Sequence, residues 1–89
     1  MEIEPRMESA LWVIFNEMRL ARKAHGPLTK DVVRGITILM EEAGEAAAEA
    51  LGTTRPGSGR GKDALILELA QVAGVAINMI MNLQEGSNG

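Results

Sequence analysis

Three long stretches of helical hydrophobic periodicity run along the chain, separated by two short breaks. In the first stretch Leu11, Ile14, Met18 and Ala21 recur at 3-4-3 spacing, and Trp12 and Phe15 widen the stripe. Pro5 suits a first helical turn, and His25-Gly26-Pro27 ends the run, so a helix is predicted over residues 6–24. In the second stretch Val32, Ile36, Leu39, Ala43, Ala46 and Ala50 follow a 4-3-4-3-4 pattern. Thr29 is the expected N-cap, Asp31 falls in the first turn where the helix dipole favours an anion, and Gly52 stands where a helix often stops. These signals predict a helix over residues 30–51. A third helix is predicted over 63–84, with a frayed tail at 86–89.

The third stretch differs from the others. Leu65, Leu69, Val72, Ala76, Met79 and Leu83 form one line, and Ile66, Ala70, Ala73, Ile77 and Ile80 lie beside it. A helix that is apolar nearly all round is a buried one. Its interior polar residues, Glu68, Gln71, Asn78 and Asn82, fall on a single narrow stripe, with Val75 at the missing position. Residues 64–83 are apolar enough to suggest a membrane span, but those four polar residues argue against one, since a charge at a span centre costs about 2.5–3.5 kcal/mol.

Residues 53–61, TTRPGSGRG, read as a connector that also carries two arginines. GSGRGK is not a phosphate-binding loop. Gly57 and Gly61 have three residues between them, Asp63 follows Lys62 where Ser or Thr is needed, and no strand precedes it. No segment alternates as a strand does. The chain reads as one all-α domain over residues 1–89.

Composition adds a constraint on assembly. At 89 residues a domain buries only about 60–65% of its unfolded surface, and this one has two aromatics, Trp12 and Phe15, with which to fill a core. Helices completing one another across an oligomer interface are therefore expected, giving an oligomeric helical bundle. The net charge of −3 and the lack of a basic run exclude an electrostatic footprint for duplex nucleic acid. The absence of cysteine excludes disulfides and thiolate metal sites and fits a cytoplasmic setting. The acidic N-terminal MEIEPRMES does not read as a signal peptide.

The chemistry sits in ILMEEAGEAAAE, residues 38–49. Glu41, Glu42, Glu45 and Glu49 crowd one helix, with Gly44 among them at a cost of about 1 kcal/mol relative to alanine. Gly44 and its neighbouring alanines are expected to let another helix come close. Taken singly, EExxE is the ordinary signature of a solvated face. Glu68 changes that reading, because burying its charge requires a counter-charge and only Arg60 and Lys62 approach it in sequence. An acid-on-acid contact between the helices calls for a hard divalent cation, Mg²⁺ by preference with Mn²⁺ as a substitute. Glu42/Glu45 and Glu68/Gln71 are i, i+3 pairs on two helices, suited to share one ion.

ILMEEAGEAAAEAL followed by LILELAQVAGVAI resembles the MazG-like all-α nucleotide pyrophosphohydrolases, whose signature is EExxE and then ExxD. The resemblance spans about residues 24–83. It implies Mg²⁺-dependent hydrolysis of a nucleoside triphosphate to monophosphate and pyrophosphate, in a dimer or tetramer. It further implies Glu42, Glu45 and Glu68 as metal ligands and Glu41 as a ligand or water-orienting base. Gln71 stands where the family has aspartate: it can coordinate through its carbonyl oxygen but brings no negative charge. Arg60 and Lys62 are the favoured phosphate-binding groups, and Asn78 and Asn82 either bind nucleotide or join helices. Trp12 either stacks on a base or packs between helices. The alternatives are a catalytically silent oligomer that binds metal or nucleotide, and a structural interaction module.

Overall fold

The computed structural model describes residues 2–54 and 61–86. Three helices follow one another: α1 (Pro5–His25), α2 (Val32–Thr54) and α3 (Lys62–Gly86). Arg60, expected to bind phosphate, and the rest of 55–60 lie outside the described residues, as does the tail 87–89.

The ends of the helices follow local chemistry. Pro5 occupies the first turn of α1, and Gly26, at φ 79°, closes it by donating its N–H to the Arg22 carbonyl at 2.8 Å. That left-handed φ is one glycine adopts without strain. The start of α2 differs from the sequence-based expectation. Asp31, not Thr29, caps it: Asp31 Oδ1 accepts from the Arg34 N–H at 3.0 Å, while Thr29 Oγ1 accepts from the Asp31 N–H at 3.2 Å. Asp31 outcompetes Thr29 because a carboxylate is the stronger acceptor for the positive end of a helix. At the other end α2 runs past Gly52 to Thr54, and α3 runs on to Gly86.

Helix α3 lies between the other two and packs on both, whereas α1 and α2 do not pack on each other. The reason lies in two glycines. Gly35 on α2 meets Met79, and Gly74 on α3 meets Met18 of α1. Gly74 and Met79 are five residues apart, hence about 140° apart around α3, so α1 and α2 approach α3 from well-separated directions. The result is an open, bent layer with extents of 51 × 33 × 21 Å, not a closed bundle. A methionine side chain fills each close approach, Met79 with its Sδ and Cε and Met18 with its Cγ, as suits an unbranched side chain that adapts to irregular gaps.

The hydrophobic interior is correspondingly thin. Among the described residues Ala46, Ala70 and Met79 are its buried apolar members, and α1 buries none. Trp12 is 67% exposed and meets Phe15 edge-to-face at 6.5 Å. Gly44 does not serve as expected: a Cβ placed there would meet nothing within 4 Å, so the close approach belongs to Gly35 and Gly74 instead. By length and composition α3 is apolar enough to cross a membrane; here it is the central helix of the layer.

Candidate metal centre

The contact between α2 and α3 brings together three of the carboxylates singled out in the sequence. Glu42 and Glu45, three residues apart, project from one face of α2, and Glu68 meets them from α3. One oxygen from each lies within 4.8 Å of the others. Glu42 and Glu68 are half-buried and Glu45 is exposed, so the group opens to solvent on one side.

Gln71 completes the arrangement. Three residues after Glu68 and so on the same face of α3, its amide lies against Glu42 Oε2 and Glu68 Oε2, and the orientation that satisfies both carboxylates turns Nε2 toward them, to donate at 2.9 Å and 3.2 Å. The amide thus ties the two helices together through their carboxylates. Sequence reasoning assigns Gln71 a carbonyl ligand and misses this use of its N–H groups; two donors one turn from Glu68 are the signal that could have found it.

The local electrostatics are strained in the expected direction. Burial, followed by the negative charges of Glu45, Glu68 and Glu41, pushes the Glu42 carboxyl above its ordinary 4.5. Glu41 acts on Glu42 through its charge but is exposed and outside the three-carboxylate group. Glu49, two turns beyond Glu42, is half-buried and likewise outside that group.

The donor set fits a hard divalent cation. Carboxylate oxygens are what Mg²⁺ and Mn²⁺ prefer, and three of them from two helices leave the remaining octahedral positions for water or phosphate oxygens. On an octahedral ion with ligands at about 2.1 Å, paired oxygens sit about 3–4 Å apart, so the spacing here needs only a small closure. An open, acidic and water-accessible group also excludes a purely apolar role for this face.

The remaining sequence candidates are placed differently. Lys62 is in the first turn of α3. Asn78 donates Nδ2 to the Gly74 carbonyl of its own helix at 3.1 Å, and Asn82 donates Nδ2 to the Thr29 carbonyl at 3.3 Å. Asn82 therefore secures the approach to α2 against the last turns of α3, beside the exposed Lys30–Glu85 ion pair at 3.7 Å. In this arrangement the polar stripe of α3 has two parts: Glu68 and Gln71 at the acidic group, Asn78 and Asn82 bonded to backbone.

No known family model, curated protein or solved structure matches the chain. What it is, on the structure, is an all-α three-helix protein with an acidic glutamate cluster at its α2–α3 contact.

Proposed function

We propose that the protein is a Mg²⁺-dependent nucleoside triphosphate pyrophosphohydrolase. The supporting observation is the convergence of Glu42, Glu45 and Glu68 from two helices within 4.8 Å. The resemblance of ILMEEAGEAAAEAL and LILELAQVAGVAI to MazG-like enzymes suggests which reaction such a centre would serve.

In this reading Glu42, Glu45 and Glu68 hold the cation, with Mn²⁺ as an acceptable substitute. When bound, the metal supplies charge neutralisation and polarisation of a phosphoryl oxygen. The chain supplies the rest. Glu41, exposed next to the cluster, orients a water for in-line attack at the α-phosphorus and takes up its proton. A new P–O bond forms to that water, and the bond from the α-phosphorus to the bridging oxygen breaks, so that pyrophosphate leaves. Lys62 steadies the phosphate chain as a point charge and Arg60 through its planar, forked guanidinium. Gln71 contributes no charge, so the centre offers three negative ligands, which suits one divalent ion better than two. Presenting its carbonyl oxygen to that ion would cost Gln71 its two bonds to Glu42 and Glu68.

That last point favours a second reading, a catalytically silent oligomer that retains the site for binding metal or nucleotide. With Gln71 bonded to Glu42 and Glu68, the centre keeps three carboxylate ligands but lacks the fourth acidic group of the resembled signature, which counts against turnover rather than against binding.

One experiment separates the two readings. Incubation with a panel of canonical and modified nucleoside triphosphates and Mg²⁺ is expected to release monophosphate and pyrophosphate, and Glu45→Gln is expected to abolish that release while leaving the helical circular dichroism intact. No release from any nucleotide by folded protein refutes the enzyme. A Mg²⁺-dependent rise in melting temperature without turnover would then establish the silent binder.

A further inference from the structure

The carboxylates of the candidate centre differ in what holds them. Glu42 and Glu68, the half-buried pair, both meet the amide of Gln71, whereas Glu45 is exposed on the open side. Were the amide oxygen turned toward the pair, an acceptor would face two carboxylate oxygens with no proton between them. With Nε2 in that place, its two hydrogens span the crossing of α2 and α3, to Glu42 Oε2 at 2.9 Å and to Glu68 Oε2 at 3.2 Å. One planar group therefore sets the orientation of two carboxylates on two helices.

We infer that Gln71 is a positioning residue that sets which cation the centre accepts: it holds Glu42 and Glu68 to single-oxygen coordination and so tilts the site toward Mg²⁺ and away from Ca²⁺. The inference rests on the metal-binding reading given above. The first argument concerns the oxygens. An Oε2 that already accepts from an N–H is the poorer donor to a cation, so Glu42 and Glu68 bind most readily through their other oxygen. Mg²⁺ needs no more, because it takes near-octahedral oxygens at about 2.0–2.1 Å and keeps several waters. Ca²⁺ takes about six to eight oxygens at about 2.3–2.6 Å, often both oxygens of one carboxylate, and a pinned pair denies it that. The second argument concerns order. Groups behind metal ligands fix their orientation, and changing one costs about 10–100-fold in affinity. Gln71 does this for two ligands at once, across a helix crossing. The third argument is what a ligand role would cost. To turn its carbonyl oxygen to an ion, Gln71 would exchange two charge-assisted hydrogen bonds for one neutral ligand.

Calorimetric titration of the metal-free protein with Mg²⁺ and with Ca²⁺ tests this without nucleotide. Gln71→Met keeps the length and the helix propensity of the side chain and removes both N–H donors. It is expected to weaken Mg²⁺ binding about 10–100-fold and Ca²⁺ binding by less, so that the ratio of the two affinities moves about tenfold toward Ca²⁺. A merely structural residue would not move that ratio, because loosened packing weakens the site for either ion alike. Should Gln71→Met not fold, the wild type still decides. Nuclear magnetic resonance of protein labelled with nitrogen-15 glutamine reads the side-chain amide of Gln71, the chain's other glutamine being Gln84. The Gln71 amide protons are expected to exchange slowly with water both without metal and at saturating Mg²⁺. Equal losses for the two ions, or release of those protons to solvent when Mg²⁺ binds, would overturn the inference and leave the centre standing. Wild type that takes up neither ion would overturn the centre, and the inference with it.

Discussion

Neutralising Glu42 should make the protein more stable and, at the same time, blind to magnesium. Glu42→Gln keeps the shape of the side chain and removes one charge from a group whose oxygens lie within 4.8 Å. At that distance two unit charges repel by about 0.9 kcal/mol in water and about 3.5 kcal/mol at an effective dielectric constant of 20. Glu42 faces both Glu45 and Glu68, but the group is open to solvent and screened, so the lower part of that range applies. Gln71 would then donate to a neutral acceptor, which returns part of the gain. The net expectation is about 1 kcal/mol of added stability without metal, or roughly 4–8 °C in melting temperature for a domain of this size.

The pH dependence has a definite sign. Because burial and neighbouring charge raise the Glu42 pKa above 4.5, the native state holds this proton more tightly than the unfolded chain. The resulting stabilisation is complete below the unfolded value and disappears as pH rises through the folded one. Thermal melts in EDTA and in excess Mg²⁺, followed by circular dichroism across that pH range, measure all of this. The wild type should lose stability above pH 4.5 more steeply than Glu42→Gln, and should regain it with Mg²⁺. At tenfold saturation the gain from binding is about 1.4 kcal/mol. Glu42→Gln melting at or below wild type in EDTA, or responding to Mg²⁺ as wild type does, would refute the reasoning.

Three further substitutions probe the same structure. Gln71→Asp removes two donated hydrogen bonds and adds a fourth negative charge, so it should cost about 1–3 kcal/mol in EDTA and increase the stabilisation by Mg²⁺; metal titration monitored by melting temperature checks both. Gly74→Ala would place a Cβ 2.8 Å from Met18 Cγ and should destabilise the α1–α3 contact by about 1–2 kcal/mol despite a gain in helix propensity, whereas Gly44→Ala enters open space and should stabilise by up to about 1 kcal/mol. Chemical denaturation of the pair measures that opposite sign. Asp31→Ala removes the cap of α2 and should cost about 0.5–2 kcal/mol, while Thr29→Ala should cost less. Thermal melts of the two variants side by side rank the caps.

Much of the fold was legible in the sequence because helix formation is written locally. The 3-4 spacing of apolar residues, the proline at the start of α1 and the glycine at its end specify their elements without reference to anything distant. The convergence of Glu42, Glu45 and Glu68 was also legible, since an uncompensated carboxylate on an apolar helix implies something facing it. The choice of cap was not. Thr29 and Asp31 both suit a helix start, and Asp31 takes the cap because the first turn of α2 begins at Val32, directly after the stronger acceptor.

By itself, then, the sequence determined three amphipathic helices and which residues carry the charge on each. The tertiary structure decided what those helices do to one another. Gly35 and Gly74, rather than Gly44, set the two close approaches, because only packing selects which missing Cβ lies at a contact. Those two approaches spread α1 and α2 around α3, which leaves the layer open. Gln71 lies between two carboxylates, where its amide nitrogen is the end that satisfies both, because the α2–α3 crossing brings Glu42 within 2.9 Å of its amide. Periodicity fixes the face a residue occupies, but the distance and angle between helices depend on side chains far apart in the chain.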